Sequence, residues 1–432
     1  MTFSYISPFK IIRLKYAVNL RRLRAEGGDG RNRYIGLENI ESKTGRLLLE
    51  DNAGDQQALT VSVGEYFGSL FLHGDVLFGK LRPYLAKAWL AEFDGYCSTE
   101  FLVFEPHCFE ARFLLYVLLS RQFIDPVDSA TFGSKMPRAD WDFIGNMPVP
   151  LPQSTAQRAI ATYLDRETAR IDALVAAKER WLELLAEKRR AIISQAVTRG
   201  LNPNAPMRDS GVPWLGEVPT HWALCHLKRA LTSMDYGISE SVDVVGNIAV
   251  LRMGDIQGGE ISYSKVGFVE SVDDSLLLHP GDLVFNRTNS LDQVGKVALY
   301  RGGKEYSVSF ASYLVRLRCS PKVIPEYLNW LLNSVSFLAW GRSEALPAIG
   351  QANLNPNRYG YLPTVIPPLS EQKRIVDYVR ETVKRLDVLR VITQKSITFL
   401  KERRAALISA AVTGQIDVSN ENTKEGIPHG TR

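Results

Sequence analysis

The residues best suited to chemistry are arginines, lysines and asparagines crowded into short glycine-bounded strings. One string is Gly79-Lys80-Leu81-Arg82-Pro83-Tyr84-Leu85-Ala86-Lys87, and another is Asn286-Arg287-Thr288-Asn289-Ser290-Leu291-Asp292-Gln293-Val294-Gly295-Lys296. Two later strings repeat the set, Gly133-Ser134-Lys135-Met136-Pro137-Arg138 and Gly350-Gln351-Ala352-Asn353-Leu354-Asn355-Pro356-Asn357-Arg358. Arginine reads guanine through two parallel hydrogen bonds and asparagine reads adenine likewise, while lysine, serine and threonine hold phosphates. The chemistry expected is nucleic-acid contact. In one half it would fall to Lys80, Arg82, Tyr84, Lys87, Ser134, Lys135 and Arg138; in the other, to Arg252, Arg287, Thr288, Asn289, Ser290, Lys296, Gln351, Asn353, Asn355 and Arg358. Solvated surface turns would carry the same residue types, so spacing alone leaves both readings open.

Catalytic alternatives fare worse. An amino-methyltransferase needs an Asn/Asp-Pro-Pro-aromatic motif and a glycine-rich cofactor loop. The nearest strings, Asn202-Pro203-Asn204 and Asn355-Pro356-Asn357, lack the second proline and the aromatic residue. No G-x-x-x-x-G-K-[ST] phosphate cradle is present. Glu371-x-Lys373 resembles half of a nuclease motif but stands at a helix start without an acidic strand partner. His221, Cys225 and His226 lack a companion carboxylate and read as coincidence rather than a zinc site. Cys97, Cys108, Cys225 and Cys319 are scattered without a C-x-x-C pair, which argues for packing thiols over disulfides or metal. No catalytic centre, metal or bound cofactor is expected in this chain.

At 432 residues, with 45% hydrophobic and 23% charged content, the chain has enough apolar material for more than one core. A net charge of +5 permits a polyanionic partner without demanding one. The longest apolar run, Phe113-Leu114-Leu115-Tyr116-Val117-Leu118-Leu119, is far shorter than the roughly 20 residues that cross a bilayer. Residues 1–14 lack a secretory leader pattern. A cytoplasmic protein without membrane contact is expected.

The elements that must position the loops are set by an internal duplication. A shift of 215 positions lays residues 157–198 on 372–413 without a gap, matching Gln157/Gln372, Ile160/Ile375, Tyr163/Tyr378, Arg170/Arg385, Asp172/Asp387, Leu185/Leu400 and Arg189/Arg404. Upstream, Gly145, Pro148 and Pro152 match Gly360, Pro363 and Pro367. Neither long segment contains glycine or proline and each follows a proline-rich stretch, so both are predicted helices. Leu164, Ile171, Leu185 and Ile192 fall at one heptad position, with Leu174 and Trp181 at the other; Val379, Leu386, Leu400 and Leu407, plus Leu389, repeat the pattern. A single stripe would ordinarily pack on its own domain, but two equal stripes closing two halves of one chain favour mutual pairing. About 42 helical residues reach roughly 60 Å at ~1.5 Å each, so pairing along that length would be antiparallel.

The remainder duplicates more distantly. Leu14-Lys15 answers Leu227-Lys228, residues 34–40 answer 250–256, and Gly74-Asp75-Val76-Leu77-Phe78 answers Gly281-Asp282-Leu283-Val284-Phe285. These β-branched and aromatic runs read as strands, followed by helices near 112–121 and 326–338. The expected fold is α+β: two strand-rich α/β recognition domains separated by a pair of long antiparallel helices, a coiled coil, with pseudo-two-fold symmetry. The boundaries expected are domain 1 at 1–152, the first spacer helix at 153–199, a linker at 200–222, domain 2 at 223–367, the second spacer helix at 368–414 and a disordered tail at 415–432.

Three strings together resemble a known family, the specificity subunits of type I restriction-modification systems. They are Pro367-Pro368-Leu369-Ser370-Glu371-Gln372-Lys373-Arg374-Ile375, the helix end Lys401-Glu402-Arg403-Arg404-Ala405-Ala406-Leu407-Ile408-Ser409-Ala410-Ala411-Val412-Thr413-Gly414, and the hinge Asp209-Ser210-Gly211-Val212-Pro213-Trp214-Leu215-Gly216-Glu217-Val218-Pro219-Thr220-His221-Trp222. The first helix departs from the pattern at Ala156, where glutamate is usual. The resemblance implies a non-catalytic subunit of a phage-defence complex, with two target-recognition domains each reading half of a bipartite asymmetric site in double-stranded DNA. It also implies helices that act as a ruler, two DNA-methyltransferase subunits docked on them, and restriction (motor and nuclease) subunits. S-adenosylmethionine, ATP and Mg2+ would belong to those partners. Two other classes compete with this reading: a stand-alone DNA enzyme with an unfamiliar site, and a coiled-coil scaffold with no DNA-reading role.

Overall fold

Residues 157–198 and 372–412, free of helix breakers, lie within two uninterrupted helices, Ser154–Arg199 and Leu369–Val412, and Thr413 opens the turn that follows the second. They were located in a computed structural model that describes residues 8–23, 33–48, 68–133, 135–264, 266–348 and 350–418. Of the tail expected at 415–432, residues 419–432 lie outside the described residues. Two compact units emerge, one formed by Met1–Glu179 with Lys395–Arg432 and the other by Arg180–Gln394. Each contains a stretch of both long helices.

In the first unit, Val18–Leu20, Phe101–Pro106, Val76–Gly79 and Ala88–Leu90 form a four-stranded antiparallel sheet in that order. Gly95–Ser98 is the centre of a second sheet, parallel to Tyr34–Ile35 and antiparallel to Gly68–Phe71. Lys10–Arg13 pairs with Pro148–Leu151, the strand that leads into the first long helix. The second unit repeats this plan. Leu231–Tyr236, Leu314–Cys319, Leu283–Asn286 and Val297–Leu299 form its four-stranded sheet, and Ala223–His226 pairs with Pro363–Ile366. Ile248–Leu251 runs parallel to Ser307–Phe310 and antiparallel to Gly267–Val269.

The duplicated Gly-Asp pairs have a physical purpose. Gly74 and Gly281 take φ of 88° and 99°, a left-handed turn that glycine enters without a steric cost. The next carboxylate closes the turn, as Asp75 accepts from the Leu72 amide and Asp282 from the His279 amide, both at 2.8 Å. Each aspartate is also bound by an arginine, Arg21 at 2.7 Å and Arg318 at 2.8 Å.

Helix content exceeds the expectation drawn from 112–121 and 326–338. Each unit holds two consecutive helices, Ala111–Leu119 with Arg121–Ser129, and Pro325–Leu332 with Val335–Ser343. A buried serine separates each pair. Ser120 and Ser334 are extended (ψ of 147° in both), and their hydroxyls donate to the carbonyls three residues back, at 2.6 and 2.7 Å, which competes with continued helix.

Within the first unit the two long helices run antiparallel. Ile160, Ala161 and Leu164 share one hydrophobic cluster with Ile408, Ala411 and Val412, Arg404 Nε donates to Asp172 at 2.9 Å, and Lys401 meets Glu179 at 3.1 Å. Within the second unit, Ile193, Ala196 and Val197 share a cluster with Ile375, Val376 and Val379. Leu164, Ile171, Leu185, Val379 and Leu386 are buried, while Ile192, Leu400 and Leu407 are half-buried. The second heptad position requires correction. Leu174, Trp181 and Leu389 are 46%, 50% and 45% exposed and lie outside the pairing seam. One residue along, Val175 is buried and Leu182 half-buried, and in the other helix Val376, Val383 and Ile397 hold the equivalent places. The seam is interrupted by polar residues, the buried Thr168, Thr393 and Arg404, so the alternative apolar choice one residue away looked equally regular. Val175→Ala should therefore cost about 1.5 kcal/mol, two buried methyl groups' worth. Trp181→Ala should stay within about 0.5 kcal/mol. Thermal midpoints of the two variants check this, and a larger loss for Trp181→Ala would restore the original register.

Candidate nucleic-acid interface

The helix starts carry a device that hydrophobic patterning cannot reveal. Gln157 and Gln372 are 2% and 0% exposed, and each side chain makes three hydrogen bonds to main chain. Gln157 accepts from the Glu110 amide (2.7 Å) and donates to the Cys108 and Pro152 carbonyls; Gln372 accepts from the Ile324 amide (2.8 Å) and donates to the Lys322 and Pro367 carbonyls. An amide satisfied in this way at three points ties the start of the long helix to the segment that opens the domain's own helices. Its duplication at an offset of 215 was the only sequence signal.

Above this frame, each unit joins two of the candidate strings through main-chain pairing. In the first, the Arg82 amide donates to Pro137 O (2.7 Å), the Ala139 amide donates to Lys80 O (3.0 Å), and Leu81 bridges Arg138. In the second, Thr288–Asn289 pairs with Gln351–Asn353, Thr288 opposite Asn353 and Asn289 opposite Ala352. The Leu354 amide then donates to Arg287 O at 2.8 Å. Strings about 50 to 65 residues apart thus become one edge in each unit.

The side chains sort by what holds them. Arg82 is exposed and left-handed (φ 50°), Tyr84 is 45% exposed, Lys135 is exposed and Lys80 half-buried. Lys87 is committed elsewhere, its ammonium donating to Leu37 O at 2.6 Å. Arg138 is clamped by Glu100, with Nη2 to Oε1 at 2.8 Å and Nε to both oxygens at 3.1 and 3.2 Å. That hydrogen bonding, helped by the positive charges of Arg138 and Lys80, holds the Glu100 carboxyl below its ordinary pKa. Lys87 and Arg138 therefore fix loop shape rather than face a ligand freely. Ser134 lies outside the described residues.

In the second unit, Arg287 is half-buried, with Nη1 donating to Ser312 O (3.4 Å), Nη2 to Asn353 Oδ1 (3.3 Å) and its guanidinium 5.2 Å from the Tyr236 ring centroid. Asn353 in turn donates to the Thr288 hydroxyl (3.2 Å), which is buried. Asn289 accepts from the Ser290 amide (2.8 Å), and Ser290 donates to Asp292 (2.6 Å). Lys296 donates to Gln293, and Asn355 accepts from the Asn357 amide at 2.8 Å, capping the short helix Pro356–Gly360. Arg252, Gln351 and Arg358 are exposed. Sequence reading missed Tyr236, which shelves Arg287 from a strand about 50 residues upstream, and Glu100.

The catalytic fragments find structural partners. Glu371 accepts from the Trp222 indole (3.1 Å) and contacts His221 Nε2 (2.8 Å), pinning the hinge string to the second long helix. His226 Nδ1 meets Tyr361 O at 2.7 Å. Burial pushes the Cys97 and Cys319 thiols up to about 12, far from nucleophilic range. Cys108 is exposed, unlike the packing thiol expected there.

Residues 49–183 match the family described as type I restriction modification DNA specificity domain. The chain is 22% identical over 334 residues to the type I restriction enzyme EcoKI specificity subunit of Escherichia coli strain K12, covering 75% of this chain and 68% of that protein. It is 29% identical over 167 residues to a Methanocaldococcus jannaschii protein named as the MjaX type I restriction enzyme specificity subunit, covering 37% of this chain and 39% of that protein. The match therefore spans well under half the length of the second relative. A chain from a solved structure concerning complex assembly and conformational transition of the type I R-M system superposes with a TM-score of 0.73 at 16% identity, covering 96% of this chain and 100% of that one, which establishes a shared fold.

Proposed function

We propose that this chain, similar in sequence to type I restriction-modification specificity subunits, is the DNA-sequence-reading subunit of such a system. Each recognition domain, 1–152 and 223–367, reads one half of a bipartite asymmetric site. The spacer helices, 153–199 and 368–414, lie antiparallel as a pair joined through the linker 200–222, and they set the distance between half-sites. The observation that carries this reading is the repeated edge: one strand frame, built twice, presents Lys80, Arg82, Tyr84 and Lys135 in one unit and Arg287, Asn289, Asn353 and Gln351 in the other. A frame held constant while its base-reading side chains diverge suits two domains that read different short sequences. A coiled-coil scaffold needs no such edge, and leaves the match to a DNA specificity domain without a reason.

The chain itself carries out no bond-breaking step. Two DNA-methyltransferase subunits, which bind S-adenosylmethionine, dock on the helices, where the exposed Leu174, Trp181 and Leu389 offer apolar surface. Restriction subunits using ATP and Mg2+ join that core, and the assembly works in the cytoplasm. Among the described residues, no helix is long and apolar enough to cross a membrane. Co-expression with the methyltransferase subunit tests the assignment: the two should purify together and methylate duplex DNA only at a defined site. Methylation or cleavage by this chain alone would overturn it.

A further inference from the structure

Away from the reading edges, one basic position is retained in both units. The strands Lys10–Arg13 and Ala223–His226 place Arg13 opposite Pro148 and His226 opposite Pro363. The following leucine is fixed identically, Leu14 N donating to Met147 O (3.0 Å) and Leu227 N to Leu362 O (2.9 Å). The next residue is an exposed lysine in each turn. Lys15 Nζ lies 5.3 Å from the centroid of the Tyr16 ring, and Lys228 Nζ lies 3.6 Å from that of Tyr361, rings that are themselves 63% and 55% exposed.

Reading loops that diverge answer to bases, which differ between half-sites. A cation retained at one frame position answers to something common to both half-sites. The feature of a duplex that does not vary with sequence is its phosphate backbone. In the second unit the ring under Lys228 also borders Arg358, because Tyr361 lines an open, mainly apolar cavity of about 400 Å³ together with Trp340, Leu362, Pro363, Arg358 and Glu344. Its lining carries one cation, Arg358, and one carboxylate, Glu344, while Lys228 adjoins it through the Tyr361 ring that its ammonium covers. The strand Leu231–Tyr236 leads from this turn to Tyr236, whose ring lies 5.2 Å from the Arg287 guanidinium, so the lysine and the reading edge are joined by one strand.

We propose that Lys228, with Arg358 and Tyr361, and its counterpart Lys15, over Tyr16, are phosphate clamps that grip the duplex backbone without regard to sequence, one in each recognition domain. The proposal rests on the DNA-reading function above.

The test uses the full chain assembled with its methyltransferase subunits, comparing wild type with the double variant Lys15→Gln, Lys228→Gln. Binding to a duplex carrying the recognised site and to an unrelated duplex is measured over a range of salt concentrations. Both affinities should fall by the same factor, and the plot of log affinity against log salt should become shallower by about 0.9 for each clamp lost. The methylated motif should stay unchanged, and Lys→Arg at both positions should restore the slope. An unmoved slope, a changed motif, or loss confined to the recognised duplex would overturn the clamps, as would release of the methyltransferase subunits, which would make this face a protein-docking surface. If wild type prefers no duplex, the parent function fails; if it does and the slope is unmoved, the clamps alone fail.

Discussion

Arg287→Ala should weaken binding at one half of the DNA site by about 5- to 150-fold, the equivalent of the roughly 1–3 kcal/mol that a bidentate arginine–guanine contact contributes, and leave the other half-site intact. The guanidinium is pre-set for such a contact by Ser312 O, the Asn353 side chain and the Tyr236 ring. Removing it also releases the Asn353 side-chain oxygen, leaving that side chain the Thr288 hydroxyl, so two candidate contact groups lose their geometry together. Asn289→Ala should affect the same half-site. Competition binding with duplexes altered in one half at a time measures the effect. Equal loss at both halves would contradict separate reading by separate units.

Deleting one heptad from each long helix, residues 178–184 and 392–398, should abolish methylation at the original motif and move it to one with a shorter spacer and unchanged half-sites. Seven residues account for about 10.5 Å of helix, so the spacer should shrink by at most about three base pairs at 3.4 Å each. A heptad removes close to two whole turns and keeps the buried faces in register, which separates a change of length from a loss of pairing. Sequencing of methylated DNA from cells carrying the variant reads the outcome. An unchanged spacer would remove the ruler role, and altered half-sites would show that helix length reaches the reading loops.

The repeat made the frame legible. Gln157/Gln372, the Gly-Asp turns and the proline-flanked helix starts recur because each performs the same local task twice, and recurrence is visible without knowing the task. The heptad register was less legible, because the seam mixes Thr168, Thr393 and Arg404 with apolar residues. Arg404 is buried among polar partners, Asp172 and the Lys43 and Thr44 carbonyls, a circumstance no hydrophobic stripe announces. The candidate interface was legible as residue types and not as roles. Arg82 and Arg138 looked alike in their strings, yet Glu100, 38 residues before Arg138, captures only the latter. Likewise Lys87 and Lys80 stand in one string, and a carbonyl from residue 37 takes the first. Long-range partners of this kind follow from strand pairing, which spacing along the chain does not contain.

The most direct measurement is methylated-base sequencing of genomes from otherwise identical cells with and without this chain. An address written in two short, different halves around a fixed run of unread bases should be methylated only where the chain is present. If the two genomes carry the same methylated motifs, or if the motif that vanishes is one unbroken word, the chain is not a two-headed reader of DNA.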